Sequence, residues 1–298
     1  MRAQLTITVN TGKWLIARAI VRLPEVQEAY KKHKILLKGG TTVSCIAEEL
    51  VGIKLRISGR VTKRGTVGSF ENSSSPHSVI IEKGKWQNID SCFLDTVLAL
   101  GPGDVVIIGA NAIDNEGNAA MMAASPGGGY PGQAAAALTT EGAHIIIAAP
   151  DGNLIPGNIS ELIGQVGRKI CDFSMGAAVG LIPLHGRIIT EIEALKILGN
   201  LDKVIVIGRG GINGAEGSTT ILIEGLENSL KNVIKEIICA QEKHLSGDKN
   251  SLKECIPGSS GCKYHFSCVY AHKNKIKVYS SRGLRQAFGF VTIGQAPR

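Results

Sequence analysis

Two turns rich in glycine, hydroxyl and amide side chains are the places where this chain could do chemistry. The first, Lys38-Gly39-Gly40-Thr41-Thr42, follows a short apolar run and precedes a helical one. Glycines there free backbone N–H groups to face a ligand, and Thr41 and Thr42 add hydroxyls. The positive end of the following helix favours negative charge, so the turn can act as an anion cradle. The same residues also suit an ordinary strand-to-helix turn with Thr41 or Thr42 as N-cap. The second place holds Asn111, Asp114 and the run Gly127, Gly128, Gly129, inside GANAIDNEGNAAMMAASPGGGYPG. Asn111 can donate and accept hydrogen bonds, Asp114 is a candidate catalytic acid or base, and the glycines allow close backbone approach to a ligand. A plain turn reading of DNEGN, held by Asx hydrogen bonds, stays open for Asp114 and Asn115.

A third glycine-rich segment, Gly208-Arg209-Gly210-Gly211-Ile212-Asn213-Gly214, contains a guanidinium that could grip a phosphate or carboxylate bidentately. It is not a dinucleotide fingerprint, because Asn213 stands where the motif needs glycine, and no Walker lysine follows. Lys38, Arg60 and Arg187 are less favourably placed for the same task, and His185 reads as structural. Glu216, in the turn GAEGS, reads most plainly as a loop residue facing solvent or a bound cation.

Near the end, Cys255, Cys262 and Cys268 fall within fourteen residues, with His265 and His272 interleaved and Cys239 upstream on a helix. Three thiols so close can converge on one ion. A histidine or Cys239 would complete a tetrahedral zinc site, and four thiolates could equally hold an iron–sulfur cluster. The spacing matches no C-x2-C knuckle, so disulfides, a redox pair and unremarkable cysteines remain alternatives. Cys45, Cys92 and Cys171 lie in apolar segments and read as small core residues.

The elements that must position these groups alternate. Residues 13–32 have helical apolar spacing broken by Pro24. Lys34–Lys38 is a short buried strand, followed by a helix to about Leu50. Residues 54–66 read as a strand and a basic turn, and SVIIEKG as an exposed strand. Gly103–Pro150 reads as buried strand, polar turn, glycine run, small-residue helix and second buried strand. Asn158–Lys169 and Ile188–Leu198 read as helices. Lys203–Ile207 reads as a third buried strand, Ser218–Glu224 as another and Leu226–Lys243 as a long amphipathic helix. Such alternation implies parallel βαβ units, whose ligands sit at the carboxyl ends of the strands. The character changes near residue 246, so the chain divides into an α/β domain, 1–245, and a small cysteine-containing module, 246–298.

Composition sets the outer limits. The 298 residues are 44% hydrophobic and 19% charged, which is globular rather than disordered. The net charge of +8 favours anionic partners, but no stripe of arginines and aromatics appears, so nucleic acid is not expected. No apolar stretch reaches membrane-spanning length, and the N-terminus lacks a signal-peptide block. Seven cysteines, an odd count, do not form a secreted disulfide framework, so a reduced, cytoplasmic protein is expected.

The order strand–GGTT–helix, DVVIIGANAIDNEGN, SPGGGYPG and HIIIAAP resembles the superfamily of ribose-5-phosphate isomerase, glucosamine-6-phosphate deaminase and coenzyme A transferases, which also holds DeoR-type sugar sensors. The similarity covers roughly residues 30–225. It implies a mostly parallel, three-layer α/β fold, with the GGTT turn on a phosphate and the glycine loop over the substrate. Two departures stand out. Asn111 occupies the place of the aspartate of the superfamily's G-A-D, and an amide cannot serve as a carboxylate base near neutral pH. Ala112 and AASPGGG replace a further acid and a lysine. Asp114 or Glu116 would have to substitute, and the coenzyme A transferase resemblance would need a glutamate nucleophile, for which Glu216 is better placed than Glu141. Phe288–Arg298 is similar to the start of AroM-family proteins.

These observations lead to a protein that binds a small anionic metabolite, a sugar phosphate or acyl-coenzyme A-like molecule. Its enzymatic form would be an isomerase or lyase, or a transferase, and a homo-oligomer. The alternatives are a non-catalytic metabolite sensor or regulatory subunit, and a metal- or iron–sulfur-dependent redox protein built on the cysteines.

Overall fold

The computed structural model describes residues 1–68 and 73–271. In chain order, β1 (Arg2–Ile7) leads into α1 (Val9–Ile20) and α2 (Pro24–Lys32), and β2 (Lys34–Lys38) into α3 (Thr41–Val51). A hairpin of β3 (Gly59–Thr62) and β4 (Gly65–Gly68) precedes β5 (Ser78–Glu82), β6 (Lys85–Asn88) and α4 (Phe93–Leu98). Next come β7 (Val105–Gly109), β8 (Ala112–Ile113) and β9 (Ala119–Ala123), then two short helices, α5 (Gly129–Gln133) and α6 (Ala135–Thr140). β10 (His144–Ala148), α7 (Ile159–Ile163), β11 (Gly180–Leu184), β12 (Arg187–Ile189) and α8 (Glu191–Gly199) follow. β13 (Lys203–Gly210), β14 (Ser218–Glu224) and α9 (Glu227–Gln241) are the last strands and helix.

The architecture is mixed α/β around a six-stranded sheet in the order β12-β10-β7-β2-β5-β6. β12, β10, β7 and β2 run parallel, and β5 and β6 add to one edge antiparallel. The parallel strands are continuous apolar runs because both of their faces are covered. Ile35, Leu37, Ile107 and Ile146 face α1, α3 and α8, while Leu36 and Val106 face Phe93, Val97 and Leu138 of α4 and α6. Pro24 opens α2 at its first turn, where the missing N–H removes no helix bond, and so separates α1 from α2.

Several elements differ from the sequence reading. β13 and β14 do not join the parallel sheet; they pair antiparallel with β1 in a separate sheet, β1-β14-β13. The connection 211–217 is too short for the crossover that parallel pairing needs. β5 is mostly buried between β2 and β6 rather than exposed. Ala119–Ala123, between the polar turn and the glycine run, is a strand in a third sheet, β11-β9-β8, that the sequence reading did not contain. That sheet lays Ile113 and Met121 on Ile108 and Ile147, so tertiary packing overrides the helix preference of alanine and methionine. Residues 187–189 form β12, and the following helix starts only at Glu191, where Thr190 and Glu193 build a capping box. The helix read over Asn158–Lys169 is confined to α7, with Gly164 as its C-cap.

The described residues beyond 245, up to 271, are laced onto the α/β body. Ser246 Oγ bonds to Ser44 Oγ at 2.6 Å, the Asp248 N–H donates to Leu55 O at 2.9 Å, and the Ile57 N–H donates to Ser251 Oγ at 3.0 Å. The Arg60 guanidinium donates to the carbonyls of Ser251 and Leu252, and Ser174 pairs with Ser267. His272 and the AroM-like stretch Phe288–Arg298 lie outside the described residues. No helix among the described residues is long and apolar enough to cross a membrane.

Candidate active site

Four parallel strands deliver four turns to one edge of the main sheet: Lys38–Thr42 after β2, Ala110–Asn111 after β7, Ala149–Asp151 after β10 and Thr190–Glu191 after β12. A cleft of about 800 Å³ opens there, with Asp114, Asp151, Thr190, Glu193 and Arg209 on its walls. Arg209 arrives from the end of β13, on the neighbouring antiparallel sheet.

One buried acid, Asp151, lines this cleft, and a second, Glu191, is bonded to it from outside the lining. Asp151 is 5% exposed and Glu191 3% exposed. The Asp151 N–H donates to Glu191 Oε2 at 2.6 Å, tying the two strand ends together. Oδ2 of Asp151 is buried and has no hydrogen-bond partner among the described residues. The hydroxyl of Thr190 stands beside it but donates to Glu193 Oε2 at 2.7 Å. Burial raises the Asp151 carboxyl above its usual range, and Glu193 adds to this against the opposing pull of Arg209 and Thr190. Glu191 is pushed up to about 7, first by burial and then by the charge of Asp151, despite the Asp151 N–H and Arg209. Its Oε1 lies 2.1 Å from where a Cβ on Gly12 would be, so only glycine on α1 leaves room for this carboxyl. On the same helix Lys13 is depressed by burial while feeling both Glu191 and Cys45.

The residues singled out from the sequence are not gathered into one pocket. Asp114 and Arg209 both line the cleft. Asp114 does not have a free carboxylate: it accepts the N–H groups of Glu116, Asn118 and Ile159 and the Asn118 amide, at 2.9 to 3.0 Å. These bonds hold its pKa down against burial and build the turn. Asn111 pairs with β9 through its N–H to Ala120 O and its Oδ1 from the Met122 N–H, and does not line the cleft. Glu216 is exposed, outside the cleft lining, and accepts the Gly214 N–H at 2.9 Å, which with other backbone N–H groups lowers its pKa. It closes a turn rather than presenting a nucleophile.

Gly39, Gly40, Thr41 and Thr42 also stand apart from the cleft lining. Gly39 is packed under His77, whose carbonyl oxygen would lie 2.3 Å from a Cβ there, and Gly40 is the N-cap of α3. Gly127, Gly128 and Gly129 all have positive φ, and Gly128 packs on Ile182 of β11. Their backbone path requires glycine here. The shared crevice over turns 39, 111 and 128 is thus replaced by one formed from turns 114, 151, 190 and 209. Among the other candidates, Glu116 holds the Asn158 amide, Arg187 pairs with Glu25, Glu141 is half-buried and His185 is exposed.

Asp151 and Glu191 were not singled out by the sequence reading. The signal was an acid just beyond a buried strand in HIIIAAPD, and a β-branched triplet before Glu191 in RIITE that reads equally as helix.

The cysteines divide differently from the sequence reading. Cys255, Cys262, Cys268 and His265 line one small cavity of about 30 Å³ against the β3–β4 hairpin. Burial raises the Cys255 thiol, Cys262 and Cys268 raise it further, and Arg64 and the Gly68 N–H oppose them. Even so, among the described residues no three His, Cys, Asp or Glu side chains are arranged to hold a metal ion. Cys239 is exposed on α9 and does not line this cavity, so the four-thiolate set does not assemble. Cys45 is a buried core residue as read, but Cys92 and Cys171 are exposed.

No family model, no curated protein and no solved structure matches the chain.

Proposed function

We propose that the chain binds a small, hydroxyl-bearing anion of the sugar-phosphate class in the Asp151 cleft and moves a proton on it, in an isomerase- or lyase-type reaction. The observation that carries this reading is the buried, partnerless Oδ2 of Asp151. A buried carboxylate oxygen without a donor is unfavourable, and a ligand hydroxyl supplies the missing one. Arg209 faces the same cleft and offers a paired set of N–H donors to a phosphate or carboxylate.

Acid–base work in this reading belongs to Asp151 backed by Glu191, rather than to Asp114 or Glu216. Two carboxyls joined by a 2.6 Å backbone bond, one of them poised about 7, can give and accept a proton near neutrality. The resemblance to the sugar-phosphate isomerase and coenzyme A transferase superfamily supports the same substrate class. In this reading the four parallel strands form the superfamily core, with the acid moved from the end of β7 to the end of β10. A non-catalytic sensor would use the same pocket; the proton held at Glu191 favours turnover.

Thermal-shift measurements with aldose and ketose phosphates, acyl-coenzyme A esters, inorganic phosphate and free sugars test this. A ligand that binds only the folded state raises the melting temperature. Sugar phosphates are expected to raise it more than phosphate or free sugar alone. Asp151→Asn and Arg209→Ala should each remove most of the rise. No rise with any of these compounds, or a rise unchanged in both variants, would overturn the proposal.

A further inference from the structure

Cys255 and Cys262 are free thiols on the wall of one small cavity, and both are half-buried, so each keeps contact with solvent. The segment between them, IPGSSG, is folded back by its own hydrogen bonds. The Ser259 N–H donates to Ile256 O at 3.0 Å. The Ser259 hydroxyl donates to the same oxygen at 2.6 Å and accepts from the Ile256 N–H at 3.0 Å. Gly258, at φ +93°, takes the bend in a conformation that a side chain would strain. A second turn, closed by the Cys262 N–H on Ser259 O at 2.9 Å, completes the reversal.

This path brings the Cys262 sulfur to 3.8 Å from Ile256 O, on the residue that follows Cys255. Cys255 is fixed from the other side, where Arg64 donates to its carbonyl at 2.6 Å and stacks over the Tyr270 ring. The third thiol of the cavity, Cys268, is 6% exposed and so more enclosed than the other two. It also acts on Cys255 less strongly than Cys262 does. A disulfide needs only two sulfurs whose backbones approach closely, and it does not need the three ligands of a metal site.

We propose that Cys255 and Cys262 are a redox pair that exchanges with small disulfides and closes the 256–261 loop with a reversible cross-link. One thiolate attacks a small disulfide, breaking its S–S bond to form a mixed disulfide and release one small thiolate. The second thiolate attacks the protein sulfur of that mixed disulfide. The new S–S bond forms and the second small thiolate leaves, taking up a proton as the first does. Two protein thiols are oxidised and one small disulfide is reduced to two thiols. This assignment stands whatever the Asp151 cleft binds, because neither cysteine lines that cleft.

Equilibration of the intact chain with reduced and oxidised glutathione at a series of ratios, then acid quenching, alkylation and tryptic mapping, tests it. Trypsin cuts after Lys253 and Lys263, so both sulfurs fall on one peptide, 254–263. That peptide is expected unalkylated and two hydrogens lighter, and dithiothreitol should return it to the doubly alkylated form. The folded chain should favour this disulfide on the order of tenfold more than the chain in urea, because the fold holds the two ends together. Cys268→Ser should form it to the same extent. A dithiol peptide at every ratio, glutathione held on the separate sulfurs, a bond to Cys268 instead, or equal constants with and without urea would each overturn the assignment.

Discussion

Replacing Glu191 with glutamine removes an ionisable group that the fold holds where a charge is unfavourable. The carboxyl is 3% exposed and poised about 7, against an ordinary value of 4.5. A raised acid favours folding in its protonated form. Its contribution is fully present below the unfolded value and is lost as pH rises through about 7. A shift from 4.5 to about 7 corresponds to about 3 kcal/mol when both states are ionised. Glutamine keeps a carbonyl oxygen to accept the Asp151 N–H and has nearly the volume of glutamate, so the packing against Gly12 is retained. Glu191→Gln should therefore match the parent near pH 4.5 and become more stable above it, by about 3 kcal/mol at pH 8.5. Urea titrations of both proteins at half-unit pH steps, with equal slopes, measure this directly. Stability differences that do not change with pH would refute the argument that Glu191 is a buried, protonated acid.

Gly12→Ala places a methyl group on the Glu191 carboxyl and should cost about 1–3 kcal/mol, with loss of the pH-dependent difference just described; the same titrations report it. Lys38→Met should stabilise the protein at pH 7 by up to about 3 kcal/mol, since a depressed lysine contributes fully only above 10.5 and loses that contribution as pH falls through about 8. The gain should vanish near pH 11, and a gain that persists there would point to packing instead. Asp114→Ala leaves four donors without their acceptor and should cost about 3 kcal/mol or more, read as a fall in the denaturation midpoint.

The strands β2, β7 and β10 were legible because unbroken apolar runs bounded by glycine, proline or charge have few other fates in a globular chain. β12 was not, because Ile188 and Ile189 sit directly before a helix and share its apolar spacing. β9 was hidden by composition: AAMMA has no β-branched residue and becomes a strand only because β11 and the main sheet cover it. At the site, Arg209 and Asp114 could be found from turn chemistry, but their duties could not. Whether a carboxylate is saturated with donors, as in Asp114, or deprived of them, as in Asp151, depends on backbone from distant segments. The Ile159 N–H that satisfies Asp114 lies 45 residues away. Glu191 becomes an acid of about 7 only because Gly12, at the other end of the chain, makes a slot for it.

The polar stitching of residues 246–252 onto 44–60 bears on how this chain can be divided. Ending it at residue 245, where composition changes, would strip the Leu55 carbonyl and the Arg60 guanidinium of these partners and take one hydrogen bond each from Ser44 and the Ile57 amide. Those groups flank α3, whose inner face is fixed in the central core. A shortened version would fray from inside its α/β half, so expression of that half alone needs at least the first few residues beyond the apparent border.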